Sequence, residues 1–359
     1  MSLQFIIGSS GIGKTHYACE QIIRESMENP QHLYYIIVPE QFTMQTQKNV
    51  VEMHPGKGIL NIDVLSFQRL AYRIFEETGG AREVLLDDTG KSMVLQKLVQ
   101  QHRKNLPYLG SQMNKPGYLD EVKSLISEFM QYDIREEELQ DMLGKTGEDS
   151  LLHMKMQDVG VLYQAFLQYL EGHYMTGEGV MDALKKAIPF SDKLKKSVLL
   201  LDGFTGFTPV QMNVIRELLN VCDKVLVTVT MDAGENPLQL GKPHQLFYMS
   251  RKMIHTLSGL TSNLDDPVLL KDERKGRFGN STSLDFLEKH LFRYRRSAYE
   301  KKQEEICIFA AESPVKELEE TARRIRRLVR EKNLKYGEIA VITGNLEAYK
   351  SIASQVFEE

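Results

Sequence analysis

The chain has 359 residues, 42% of them hydrophobic and 26% charged, which suits two or three folded domains and excludes a disordered or fibrous chain. A formal net charge of −4 excludes an overall basic coat, so any nucleic-acid contact is confined to a local groove. No apolar run approaches the length of a bilayer span and no charged-then-apolar leader precedes the first strand pattern, so the expectation is a cytoplasmic protein with no membrane association.

Leu3-Gln4-Phe5-Ile6-Ile7 reads as a short strand ending in a glycine loop, and His16 to Glu28 has helical composition. Leu33-Tyr34-Tyr35-Ile36-Ile37-Val38, stopped by Pro39, reads as a second, buried strand. Ile62-Asp63-Val64-Leu65 reads as a third, followed by a helix from about Phe67 to Thr78 and a Gly79-Gly80 stop. From about Asp87 to Ile188 helical periodicity dominates, which predicts an inserted helical subdomain. The strand pattern resumes at Ser197 to Asp202, passes a helix around Val210 to Leu219, and returns at Lys224 to Thr230, so the core domain is split in sequence. Alternating strands and helices predict a parallel sheet. Gly234 to Lys302 is loop-rich and charged; Glu305 to Ala310 and Glu338 to Thr343 then read as strands flanking a helix from Val315 to Lys332, the start of a second α/β domain. Cys19, Cys222 and Cys307 lack the paired spacing of disulfide scaffolds or zinc sites, and His153 and His173 lack metal-ligand spacing.

Gly8-Ser9-Ser10-Gly11-Ile12-Gly13-Lys14-Thr15 has the spacing of a phosphate-binding loop. Its glycines let backbone N–H groups curl around phosphate oxygens at a helix N-terminus. Lys14 supplies a cation for the β and γ phosphates, and the Thr15 hydroxyl is placed to ligate magnesium. The ligand expected is ATP with Mg. The second element of such a site is an acidic residue ending a buried strand, which Asp202 fits as a Mg ligand through water. The plainer readings are a tight strand-to-helix turn and a strand-end cap.

Asp202-Gly203-Phe204-Thr205-Gly206-Phe207-Thr208-Pro209-Val210-Gln211 resembles the Walker B region of superfamily 1 helicases, which reads Asp-Glu, an aromatic, Gln-Asp and soon a Gln. Gly203 stands where those helicases carry the water-activating glutamate, and Gly206 replaces their second aspartate. A glycine is no general base, which speaks against efficient hydrolysis. Val38-Pro39-Glu40-Gln41-Phe42-Thr43 and Leu65-Ser66-Phe67-Gln68-Arg69-Leu70-Ala71-Tyr72-Arg73 resemble two early motifs of the AddB family. These are the B subunits of the bacterial ATP-dependent helicase and deoxyribonuclease complex AddAB, RexAB in some groups. The glycine loop, both motifs, the helical insertion and Glu338 to Thr343 occur in the family's order, so the resemblance covers most of the chain.

The resemblance implies an α/β fold of the P-loop NTPase type: a superfamily 1 helicase-like, RecA-like core over 1–86 and 189–235. Residues 87–188 are then the helical insertion, 236–302 a loop-rich connection and 303–359 a truncated second RecA-like domain. It implies a non-motor subunit working beside an AddA-type helicase-nuclease subunit, as a heterodimer, in double-strand break repair and recombination on single- and double-stranded DNA. A longer parent is implied too, carrying a nuclease domain and an iron–sulfur cluster, neither expected in this stretch. By motif match, Gln41, Thr43, Phe67, Arg69 and Tyr72 are carried over as contacts to single-stranded DNA, scanned in the family for a Chi hotspot. Aromatic stacking and amide or charged groups suit that task. The plainer reading makes Phe67 and Tyr72 core residues of an amphipathic helix and Gln41 and Thr43 caps of the turn after Pro39, while Phe204 and Phe207 read equally as core or stacking rings. Basic clusters at Arg251-Lys252, Lys271 to Arg277 and Arg293 to Arg296 are candidate groove linings, whereas Arg323 to Arg327 share a helix with Glu317, Glu319 and Glu320 and are expected to pair within it. No catalytic residue is assigned. The alternatives are an active superfamily 1 helicase or translocase using another residue in place of the missing glutamate, and a small-molecule P-loop kinase, against which stand the insertion and the second α/β domain.

Overall fold

The computed structural model describes residues 2–80, 83–113, 115, 117–147, 150–271, 276–293 and 297–358. The chain forms two units, Met1–Asn280 and Ser281–Glu359.

In the first unit the chain runs β1 (Ser2–Gly8), α1 (Lys14–Glu28), β2 (Leu33–Ile37), α2 (Thr43–Met53), β3 (Ile62–Leu65) and α3 (Phe67–Thr78). It continues through β4 (Val84–Leu85), α4 (Asp88–Gln101), α5 (Leu109–Gln112), α6 (Tyr118–Gln131), α7 (Glu136–Gly144), α8 (Leu151–Leu170) and β5 (Tyr174–Met175). Next come α9 (Gly179–Ala187), β6 (Ser197–Leu201), α10 (Pro209–Val221), β7 (Lys224–Thr230), α11 (Tyr248–Ser258) and β8 (Val268–Leu269). Among the described residues six strands form one parallel sheet in the order β3-β2-β6-β7-β1-β8.

Both faces of this sheet are covered, which is why its strands read as unbroken apolar runs. Phe5, Ile7, Tyr35, Ile37, Leu199, Leu201, Val225 and Val227 turn to one face and pack with α3, α9, α10 and α11. Their neighbours Ile6, Tyr34, Ile36, Val198, Leu200 and Leu226 turn to the other, against Ala18, Ile22 and Ile23 of α1 and Val50 of α2. The local signals that set element ends are legible. Ser66 caps α3 by accepting from the Arg69 N–H (3.3 Å), and Gly79 ends it at φ 71°. Thr208 and Gln211 form a reciprocal cap at the start of α10, with Pro209 in its first turn.

The insertion closes on itself. Its entry and exit run side by side as the parallel pair Val84↔Tyr174 and Leu85↔Met175. Inside, Leu95, Leu162 and Phe166 are fully buried in a separate core, and the Phe129 and Tyr163 rings meet edge to face at 5.4 Å. A buried carboxylate, Asp158, accepts from the N–H groups of Tyr108 and Leu109 (2.9 and 2.7 Å) at the start of α5. That core ends at Leu170: α9, although within 87–188, joins the sheet core through Val180, Met181 and Leu184.

The second unit holds α12 (Thr282–His290), α13 (Pro314–Lys332) and α14 (Leu346–Glu358). The strands expected at Glu305–Ala310 and Glu338–Thr343 form no ladder among the described residues. Two apolar segments without further strands beside them cannot bury two faces, and Ile308 and Ile342 are indeed 94% and 91% exposed. In α13, as expected of that cluster, Arg323 pairs within the helix with Glu319 (3.3 Å) and Glu320 (3.0 Å), and Arg324 with Glu320 (3.1 Å). The 236–302 segment, expected to be loop, contributes α11 and β8 to the first unit and α12 to the second. Among the described residues no helix is long and apolar enough to cross a membrane.

Candidate functional site

Because the main sheet is parallel, the loops leaving the carboxyl ends of β1, β2, β3 and β6 emerge along one edge, the crevice where parallel sheets take ligands. Those loops are the glycine loop, the Pro39 segment, the Ser66 segment and the Asp202 turn. Motifs scattered over two hundred residues of sequence thus share one rim.

The glycine loop joins β1 to α1. Gly11 and Gly13 sit at φ 77° and 98°, conformations that side chains with a Cβ rarely adopt, so the loop turns tightly where only glycine does so without strain. Gly13 leads directly into α1, whose free N–H groups and dipole favour an anion. The Lys14 ammonium donates to the Ser9 carbonyl at 2.8 Å, folded back over its own loop.

Asp202 follows β6 at the same rim and is 5% exposed. Its N–H donates to the Ile37 carbonyl (3.0 Å), which fixes the turn beside the end of β2. The Thr15 hydroxyl lies 3.0 Å from both carboxylate oxygens, and the Thr228 hydroxyl of β7 donates to Oδ1 at 2.6 Å. A hydroxyl from the glycine loop and a carboxylate from a neighbouring strand end converging on one point is a donor set that fits magnesium beside phosphate. Burial, and then the Asp202 charge, pushes the Cys19 thiol up to about 12, so this cysteine stays neutral beneath the site.

Thr228 is a member of the site that the motifs do not point to. Its signal is there all the same: a threonine inside a fully buried strand needs a hydrogen-bond partner. The residue after the carboxylate, Gly203, is at φ 79°. A Cβ there would meet only Pro39 Cδ, at 3.6 Å, so backbone conformation rather than space selects glycine.

The two resemblance motifs meet through an ion pair, Arg69 Nε to Glu40 Oε1 at 3.0 Å. Gln41 and Arg69 are exposed, and Tyr72 is 40% exposed. Thr43 is buried and donates to the Glu40 carbonyl (3.0 Å), so its hydroxyl caps the turn after Pro39. Phe67 is buried in the sheet core, its ring 5.6 and 6.3 Å from those of Phe204 and Phe207, which are partly buried against that core. Phe42, which the motif match does not single out, is 49% exposed. It precedes α2, in the short turn Glu40–Phe42, so the buried stripe of Thr43, Thr46 and Val50 gives no signal of its exposure. A cavity of about 400 Å³ opens at this rim, lined among others by Glu40, Phe67, Gln68, Phe204, Gln131 and Gln211.

Of the basic clusters, Arg251 is buried and paired with Glu235 and Gln245, so it lines no groove. Residues 272–275 and 294–296, which carry two basic residues of each of the other two clusters, lie outside the described residues.

Residues 5–288 match the family model described as ADDB, N-terminal. A protein of Lachnoclostridium phytofermentans, named as the B subunit of an ATP-dependent helicase/deoxyribonuclease, is 42% identical over 366 residues, covering 100% of this chain and 32% of that protein. Proteins of the same name from Clostridium acetobutylicum and Clostridium novyi are 32% and 30% identical across 100% of this chain and 31% and 32% of their own lengths. The chain therefore spans about a third of the curated relatives it matches.

Proposed function

The chain belongs to the AddB N-terminal family, and from that premise we propose that it is the nucleotide-binding, non-motor part of a B subunit in an ATP-dependent helicase/deoxyribonuclease. In this reading it binds ATP with magnesium at residues 8–15 and contacts single-stranded DNA along the adjoining rim, serving double-strand break repair and recombination in the cytoplasm. Its partner is an AddA-type helicase-nuclease subunit, and an iron–sulfur cluster belongs to the longer parent protein.

The observation that carries the reading is the approach of the Thr15 hydroxyl to both oxygens of buried Asp202, 3.0 Å each, at the mouth of the glycine loop. Lys14 turns from the Ser9 carbonyl to the β and γ phosphates, and Thr15 with Asp202 holds magnesium, which when bound neutralises phosphate charge. Gly203 offers no carboxylate to orient water, so binding without turnover is the expected behaviour. For the DNA strand, exposed Gln41, Phe42, Arg69 and Tyr72 support stacking and polar contact, and the amides of Gln68, Gln131 and Gln211 around the neighbouring cavity suit base edges and recognition of a Chi-like sequence.

The test is binding of ATP and of single-stranded DNA by this chain, with phosphate release followed in the same samples. Binding of both without turnover is expected, and Lys14→Ala should abolish nucleotide binding while leaving the melting temperature unchanged. DNA-stimulated turnover would instead make the chain an active motor. A Lys14→Ala variant that binds ATP as the parent does would refute the loop assignment.

A further inference from the structure

We propose that Arg277 is a second phosphate-contacting cation of the nucleotide site, delivered by a strap, residues 276–279, seated on the outside of the glycine loop. This rests on the nucleotide reading of that loop. β8 pairs with β1 at Ile6↔Val268 and Ile7↔Leu269, and the Leu270 N–H donates to the Ile7 carbonyl at 2.8 Å, so the chain runs alongside the loop. It then returns against the loop itself, where the Arg277 N–H donates to the Gly11 carbonyl at 2.9 Å. The Gly279 N–H closes the strap's own turn on the Gly276 carbonyl, also at 2.9 Å.

The seat is a contact that two glycines make possible. A Cβ on Gly276 would lie 3.0 Å from the Gly11 oxygen, and one on Gly11 would lie 3.0 Å from the Phe278 ring and 3.1 Å from Arg277 Cβ. The strap is thus held by its backbone and by Phe278, leaving the Arg277 side chain with no part in holding it. That side chain is exposed, begins beside the middle of the loop, and forms no ion pair with a carboxylate among the described residues. An unpaired guanidinium anchored at a phosphate-binding loop is a fork-shaped donor for phosphate oxygens. A nucleoside triphosphate carries more negative charge than one lysine and one divalent cation neutralise, and Arg277 supplies the balance from within the first unit.

Titration of the full chain with ATP and magnesium tests this. Arg277→Ala should weaken ATP binding about tenfold or more, and Arg277→Lys should recover part of the loss. The ligand-free melting temperature should stay at the parent's value. Gly276→Ala, which keeps Arg277 but displaces the strap, should also weaken binding. If the parent binds ATP and Arg277→Ala binds it equally well, the proposal falls and the nucleotide reading stands. If the parent binds no nucleotide, both fall. A loss that lysine does not rescue and that comes with a lowered ligand-free melting temperature would make Arg277 structural and overturn the proposal.

Discussion

Gly203 separates two consequences that the sequence presents as one. Read as a motif position, it is a missing general base; read as backbone, it is a left-handed turn at φ 79° that places Asp202 against Thr15. Restoring the carboxylate therefore does not restore the chemistry. Gly203→Glu should lower stability by about 1–2 kcal/mol through backbone strain and leave DNA-stimulated phosphate release at the parent's level. Thermal unfolding and a phosphate assay on one preparation check both, and a variant that turns over ATP would show that only the carboxylate had been lost. At this scale the placement of Asp202 at a strand end and of Thr15 at a helix start was legible because each is set by its local strand or loop context. Phe67 was not, because whether an aromatic faces core or solvent depends on what lies across from it, here Phe204 and Phe207. Arg277 was visible only as one member of a charge cluster, since its contact with Gly11 spans most of the core domain.

Between elements, α4 of the insertion is tied to the turn before α9 by a buried ion pair. Lys91 Nζ lies 3.0 and 2.9 Å from the two oxygens of Glu178 and 3.3 Å from the Ser127 hydroxyl, and the paired side chains are 8% and 11% exposed. Burial by itself would raise the Glu178 pKa, but the Lys91 hydrogen bond and charge outweigh it and the carboxyl titrates below its ordinary 4.5. A depressed carboxyl contributes its stability above the unfolded value, and that contribution is lost as the pH falls through the folded one. The expected outcome is a fall in melting temperature below about pH 4.5 that Glu178→Gln makes shallower. Lys91→Met, which strands the carboxylate, should cost about 3–5 kcal/mol, and Lys91→Met with Glu178→Leu should regain most of it. A single variant as stable as the parent would show the pair to be idle. Helices and strands with strong periodicity, α3 and β1 among them, were legible to within a residue or two. β8 was not, because two residues carry no period and its signal is its pairing with β1.

Across the whole molecule, the two units differ in how much apolar surface they enclose. The first stacks helices on both faces of its sheet and closes a separate core in the insertion. Among the described apolar side chains of the second, only Leu318 is buried, while Ile308, Ile342 and Leu346 are 94%, 91% and 64% exposed. The expectation of a second α/β domain was drawn from two strand-like runs and a well-capped helix, and the helix is present because its capping and ion pairs are local. The strands are not, because a sheet is a non-local object and these apolar runs form no ladder among the described residues. A unit with so little enclosed surface holds its helices by local interactions, which supply only a fraction of a kcal/mol each. Hydrogen exchange should therefore find the amides of α13 and α14 exchanging orders of magnitude faster than those of β1, β6 and β7, with ATP slowing exchange in the glycine loop and leaving α13 unchanged. Equal protection of α13 and β7 would overturn the view that the second unit's helices are held by local interactions alone.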